Sequence, residues 1–277
     1  MRKEIIILGS TGMLGRYMSA YLGSSYECVG LNKSHFCATS SDVRFLEEYI
    51  NSSDIVINCV GVLKPYITRT AVADTIKINS VFPQLVADIC EKHGAKMIHI
   101  SSDCIFSGVK GAYVETDVSD ANDIYAKTKC IEPPNALTLR TSFIGEDINT
   151  DGVGFLQWLT RMKNSSVVGY SNCLWNGVTC LEFARIVKRL IQRDDTQYDH
   201  VRHVFGPDIV SKYQLCKMVN DVYDLNIKIS RKSATNISGT PIKHRLDRTL
   251  ATIHDDTCIS KAPLIEQIQE QRDLSFT

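Results

Sequence analysis

The sequence predicts an α/β protein: a Rossmann-type doubly wound parallel sheet with a smaller α/β substrate-binding domain. Three observations predict it. Short β-branched runs alternate with helical stretches through the first half of the chain. A glycine-rich turn follows the first of those runs. The alternation then loosens after about residue 146, as expected where a second unit begins.

Glu4–Leu8 is an apolar run of strand length that stops at a glycine, and Leu14–Leu22 has helical spacing. Cys28–Leu31 is the second strand, followed by a helix near Val43–Ile50. Asp54–Val60 is the third strand and Thr75–His93 a long amphipathic helix. Lys96–Ser101 is the fourth strand, Tyr125–Ile131 opens another helix, and Ala136–Arg140 is the fifth strand. Such short apolar runs between helices suit strands buried on both faces. Further on, Phe155–Met162 and Leu181–Gln192 read as helices, Val201–Phe205 as a strand, and Ser211–Tyr223 as a helix capped by Ser211. Pro241 starts a basic loop and Pro263–Gln271 is a terminal helix. The expected division is a nucleotide-binding domain at 1–146, with a segment near 171–200 returning to it. The substrate-binding domain is then mainly 147–277.

At 277 residues the chain suits one large or two small domains. With 44% hydrophobic and 22% charged residues it is too apolar to be disordered. Lys+Arg and Asp+Glu are 31 each, so no bulk charge draws it to a nucleic-acid polymer or a membrane surface. Any anionic ligand must be caught locally. No apolar run approaches the roughly 18–20 residues needed to span a bilayer. The opening MRKEIIILGS reads as a first strand rather than a leader, because its apolar core is only Ile5 to Leu8. The expected location is the cytoplasm. None of the ten cysteines forms a C-x-x-C pair, so neither a metal site nor a disulfide framework is expected. The sequence leaves a homodimer open.

The first strand runs into Gly9-Ser-Thr11-Gly12-Met13-Leu14-Gly15. Glycines let the chain turn tightly and let a phosphate approach the backbone, while the next helix offers free N–H groups. The spacing is G-x-x-G-x-x-G. Strand before and helix after make it a dinucleotide turn. The second strand ends Gly30-Leu-Asn32-Lys33-Ser34 without a carboxylate. An acid there favours NAD, and a cation favours the 2′-phosphate of NADP. Asn32, Lys33 and nearby Arg16 therefore predict NADPH/NADP.

Tyr125-Ala-Lys-Thr-Lys129 places a phenol and an ammonium on one helix face. A neighbouring cation lowers a phenol's pKa and makes it a usable acid. Such a pair is cheap among eleven tyrosines, and Tyr213-Gln-Leu-Cys-Lys217 repeats it. Position separates the two. Tyr125 follows Ser101-Ser102, at the carboxyl end of the fourth strand, where open α/β sheets bind ligands. Tyr213 has no such neighbour and reads as a structural residue.

The glycine turn, a strand ending Ser-Ser-Asp and the Y-x-x-x-K pair together resemble the extended short-chain dehydrogenase/reductases. More narrowly, Ile100-Ser-Ser-Asp-Cys-Ile-Phe106, Glu115-Thr-Asp117, Tyr125-x-Lys127-Thr-Lys129 and Leu139-Arg-Thr-Ser142 are similar to the dTDP-4-dehydrorhamnose reductase family. The resemblance implies that Ser102 holds a substrate carbonyl, Tyr125 protonates it, and Lys129 tunes the tyrosine and binds the nicotinamide ribose. It also puts Asp42 and Val43 by the adenine, Asn58-Cys59-Val60-Gly61 along the adenosine, Asn79 behind the active site, and Thr141-Ser-Phe143 by the nicotinamide. The implied reaction is NADPH-dependent reduction of the C4 ketone of a nucleotide-diphospho-6-deoxy-4-hexulose. The sugar is 4-dehydrorhamnose or a UDP-linked 2-acetamido-2,6-dideoxy-hexulose; Gly169–Val178 resembles the amino-sugar type.

The chain departs from that family at two sugar-facing positions. Cys104 replaces a usual tyrosine, and Phe143 a usual tryptophan. Ser102-x-Cys104 resembles the S-x-C of GDP-fucose synthase and plant epimerase-reductases, which implies a second reading as an epimerase/4-reductase using Cys104. The related dehydratases carry Asp-Glu where this chain has Asp103-Cys104, so elimination is not expected. Trp175 and Arg245, within the stretch Lys243 to Arg248, are candidates for holding sugar and diphosphate. A third reading is a non-catalytic NADP-binding regulator, against which stands the retained tyrosine–lysine pair.

Overall fold

The computed structural model describes residues 4–40, 42–51, 54–147, 152, 154–194, 201–235 and 246–274. Along the chain, β1 (Glu4–Leu8), α1 (Met13–Gly23) and β2 (Glu27–Leu31) form the first unit. β3 (Ile55–Asn58) is followed by α2 (Val72–Ile76), a π turn at Lys77–Val81 and α3 (Phe82–His93) in unbroken succession. Next come β4 (Lys96–Ser102), α4 (Ile124–Lys129) and β5 (Leu137–Thr141). The remaining elements are β6 (Phe143–Ile144), α5 (Phe155–Arg161), β7 (Ser166–Tyr170), β8 (Cys173–Trp175), β9 (Val178–Thr179) and α6 (Cys180–Gln192). After them lie β10 (Val201–Val204), β11 (Val210–Ser211), α7 (Lys212–Val222), β12 (Lys228–Lys232), β13 (Leu246–Asp247) and α8 (Leu264–Arg272).

Six strands form one parallel sheet in the order β10-β5-β4-β3-β1-β2. Chain order reverses between β1 and β3, and ligands bind at the carboxyl end of such a switch point. Both faces are covered. Ile5, Ile7, Ile55, Ile57, Ile98 and Leu139 pack with Tyr17 of α1 and Phe183 and Val187 of α6 on one side. Ile6, Leu8, Val56 and Met97 pack with Phe82, Val86 and Cys90 of α3 on the other. That two-sided burial explains the uninterrupted apolar runs.

Residues 178–192 and 201–204 return to this layer: α6 packs on α1, and β10 extends the sheet beside β5. The return therefore reaches beyond residue 200. A second core joins α5, α7 and α8 through Leu156, Leu159, Leu215, Val219, Leu264 and Ile268. Ser211 caps α7 with a reciprocal capping box to Gln214.

Two elements differ from expectation. The helix near Val43–Ile50 is a short 3₁₀ turn at Arg44–Glu48, with Val43, Leu46 and Ile50 turned into the core. The long helix begins at Val72 and carries the π turn, which brings the polar Asn79 and Ser80 inward. Of the expected basic loop from Pro241, residues 241–245, Arg245 among them, lie outside the described residues, and Leu246–Asp247 form β13.

Candidate active site

Gly9 has φ +81, a conformation that favours glycine, and its N–H donates to the Leu31 oxygen at 2.8 Å. A Cβ on Gly15 would lie 2.1 Å from the Gly9 oxygen, so α1 starts in direct contact with the turn. Gly12 is the N-cap of α1, and no side chain caps that first turn. These features fit a dinucleotide pyrophosphate, which needs close backbone approach and free helix N–H groups. Thr11 and Gly12 are exposed, Met13 is half-buried, and Leu14 and Gly15 are buried. Leu14 turns its side chain into the core, so only its backbone faces a ligand.

At the end of β2, Asn32 closes a turn by accepting from the Ser34 N–H at 2.9 Å. Lys33 is exposed, and no described residue bonds its ammonium. Arg16 is half-buried. Asp42 is exposed and is gripped by Arg44 at 2.6 and 3.0 Å, and the guanidinium holds its carboxyl down at about 2. Val43 is buried in the core. The expected adenine contacts are thus an arginine-bound carboxylate and a core side chain.

The segment after β3 is fixed from two sides. The Cys59 N–H donates to the Leu8 oxygen at 3.0 Å, and Asn58 accepts from the Val60 N–H at 3.0 Å. Asn79 accepts from the Val62 N–H at 2.8 Å and donates to the Thr128 hydroxyl at 3.2 Å. A Cβ on Gly61 would sit 3.4 Å from Asn79 Oδ1 and 3.8 Å from Lys129 Nζ. Asn79 therefore clamps the loop carrying Gly61 onto α4. The π turn supplies the extra residue that aims it inward.

Asp123 caps α4 by accepting from the Ala126 N–H at 3.1 Å, and Lys64 pairs with the same carboxylate at 2.6 Å. Lys127 is left exposed, whereas Tyr125 and Lys129 are 8% and 6% exposed. Lys129 Nζ donates to the Ile100 oxygen at 2.7 Å, and the Ser101 hydroxyl donates to the Lys129 oxygen at 2.9 Å. Ser102 accepts from the Cys104 N–H at 3.1 Å and donates to Asp103 at 3.3 Å. Ser102 and Tyr125 come together: burial pushes the phenol's pKa up, Cys104 adds to this, and hydrogen bonding with Ser102 opposes it.

Against the expected tuning of the phenol by Lys129, burial raises the phenol, and the Lys129 ammonium donates to the β4 carbonyl. Burial brings Lys129 itself down to about 8, against the pull of Glu132 and Cys59. Cys104 is likewise pushed up to about 12, first by burial and then by Asp103. It is a neutral thiol, because the nearby Arg248 and Lys64 charges only partly offset its burial and the Asp103 charge.

Phe143 is half-buried and packs near Phe183, 6.0 Å between ring centroids, against the core of the sheet layer. Trp175 is buried in the second core, with the Lys212 ammonium 5.0 Å from its ring centroid. Tyr213 is built into that same unit: a Cβ on Gly169 would lie 2.7 Å from its Cα, and Arg231 covers its ring. Three residues were not singled out from the sequence. Asp103 is buried beside Ser102. Arg248 donates to the Phe106 oxygen at 3.0 Å and acts on the Asp103 charge, as Lys212 does. The basic stretch through Arg248 was a signal for one of them. Lys212 had none beyond its place next to a capping serine. Among the described residues no cluster of three or more His, Cys, Asp or Glu is arranged to hold a metal ion.

Residues 1–248 match the family described as the RmlD substrate binding domain. The dTDP-4-dehydrorhamnose reductase of Aggregatibacter actinomycetemcomitans is 24% identical over 234 residues, covering 79% of this chain and 78% of the relative. Methionine adenosyltransferase 2 subunit beta of Xenopus laevis is 24% identical over 244 residues, covering 80% and 73%. The crystal structure of the Bacillus anthracis dTDP-4-dehydrorhamnose reductase in complex with NADP superposes with a TM-score of 0.78 at 18% identity, covering 98% of each chain. That likeness extends the shared fold over the whole chain.

Proposed function

The chain belongs to the RmlD substrate binding domain family, and from that membership we propose that it is an NADPH-dependent oxidoreductase of deoxysugar biosynthesis. It reduces the C4 ketone of a nucleotide-diphospho-6-deoxy-4-hexulose. The observation that carries this reading is the packing of α4 on β4, which buries Tyr125 and Lys129 with Ser102 at the carboxyl end of β4.

When bound, NADPH supplies the hydride. The glycine turn and the start of α1 hold its pyrophosphate, and Lys33 with Arg16 takes the 2′-phosphate. Ser102 binds the ketone oxygen by a hydrogen bond. Tyr125 donates its phenolic proton to that oxygen as negative charge develops, the incipient alkoxide being a strong enough base to take it. Lys129 fixes α4 against β4 and presents a cation to the cofactor ribose. Asn79 keeps the loop of Gly61 in place behind it.

Within this class, a UDP-linked 2-acetamido-2,6-dideoxy-hexulose is favoured over 4-dehydrorhamnose. Cys104 and Phe143 stand where the rhamnose enzymes carry larger aromatic groups. No described helix is long and apolar enough to cross a membrane. The Xenopus relative is named as a subunit of another enzyme, which keeps a non-catalytic NADP-binding role as the second reading. The buried tyrosine, serine and lysine speak for catalysis. Epimerisation through Cys104 is disfavoured by its neutral thiol.

The test is a panel of UDP-, dTDP- and GDP-linked 4-keto-6-deoxy sugars scored by NADPH consumption, with products identified by NMR. Turnover of one of them supports the reading. NADPH binding with no turnover of any would favour the regulatory role.

A further inference from the structure

Lys212 is the first residue of α7, and its ammonium lies 5.0 Å from the ring centroid of Trp175 and 5.4 Å from that of Phe155. Two aromatic faces attract a cation without using up its N–H donors. No described residue accepts a hydrogen bond from this ammonium or forms an ion pair with it. The side chain borders a cavity of about 430 Å³ lined also by Phe155, Trp158, Val167, Tyr170 and Cys216. Electrostatically it acts on Asp103 and Cys104, the two residues that follow Ser102. Lys212 thus borders the aromatic cavity and is close enough to Asp103 and Cys104 to feel their charge.

The half-buried ammonium has donors that no described residue uses, and a bound anionic acceptor would engage them. Burial lowers its pKa, and Asp103 and Cys104 counter that in part. An anionic oxygen would restore the balance with charge-assisted hydrogen bonds. Asp103 does not fill this role within the chain, since it meets the Ser102 hydroxyl instead.

We propose that Lys212 is a substrate-binding residue: its ammonium, steered by Trp175 and Phe155, binds an anionic oxygen of the substrate between the reacting ketone and the aromatic cavity. The inference rests on the nucleotide-sugar reading and adds a requirement, that the ligand carry a negative oxygen at this point. Two parts of a ligand supply that chemistry: the diphosphate, or a carboxylate on the sugar.

The experiment is calorimetric titration of the full chain, loaded with NADP, using uridine, UDP, dTDP and UDP-glucuronic acid. Wild type, Lys212→Gln and Lys212→Arg are compared. If the diphosphate is the partner, Lys212→Gln weakens UDP, dTDP and UDP-glucuronic acid by about tenfold or more, leaves uridine unchanged, and Lys212→Arg recovers part of the loss. If a sugar carboxylate is the partner, only UDP-glucuronic acid weakens. NADP affinity and melting temperature measured on the same samples separate a local loss from misfolding. Equal affinities of wild type and Lys212→Gln for each of the four ligands would overturn the proposal while leaving the nucleotide-sugar reading standing. A wild-type protein that binds none of them would overturn both.

Discussion

The ammonium of Lys129 donates to the carbonyl oxygen of Ile100 at 2.7 Å, which ties the helix bearing Tyr125 to the strand bearing Ser102. The link has a pH signature. Burial brings Lys129 down from 10.5 to about 8. Between those values the unfolded chain binds more protons than the folded one, so stability rises with pH across that window. The rise is on the order of 3 kcal/mol. Urea unfolding between pH 7 and 10.5 should show it in the wild type, and Lys129→Met should flatten it. An equal slope in both would contradict the assignment.

Lys33 is the exposed cation at the end of β2, where no carboxylate competes for the ribose. Lys33→Ala should weaken NADPH by about tenfold and leave NADH nearly unchanged, as expected for loss of a charged phosphate contact. Fluorescence titration with both cofactors measures it. Equal weakening of the two would remove Lys33 from the phosphate site.

Gly15→Ala should cost about 3 kcal/mol of stability and most of the NADPH affinity, because its Cβ meets the Gly9 oxygen at 2.1 Å and neither backbone can give way. Thermal melting with and without NADPH checks both effects. An unchanged melting temperature would mean that α1 can lift from the turn.

The sheet was legible because each buried strand is a short, unbroken apolar run, and the glycine turn because its spacing follows such a run. Tyr125 was separable from Tyr213 by position, since the carboxyl end of β4 marks one of them. Other features were not legible. The π turn that aims Asn79 leaves no local pattern, since it adds one residue to an ordinary helical run. Lys212 reaches the site only through the packing of α7 on β7 and β8, a tertiary relationship. The same holds for the Lys129 ammonium: four-residue spacing put it on the face of Tyr125, but the fold turned it to Ile100.

Cys104→Ser should leave ketone reduction near the wild-type rate, since a thiol pushed up to about 12 does not act as a base near neutrality. Steady-state NADPH oxidation measures the rate, and deuterium exchange beside the ketone, followed by NMR, measures epimerisation. Exchange in the wild type that vanishes in Cys104→Ser would restore the epimerase reading.

Single-turnover oxidation of NADPH by the wild type and by Tyr125→Phe, with a 4-keto-6-deoxy nucleotide sugar that the enzyme turns over, probes the proton donor itself. The rate should fall by about 10²–10⁴-fold with NADPH affinity intact, while Tyr213→Phe stays near wild type. Undiminished hydride transfer in Tyr125→Phe would contradict the role assigned to that phenol.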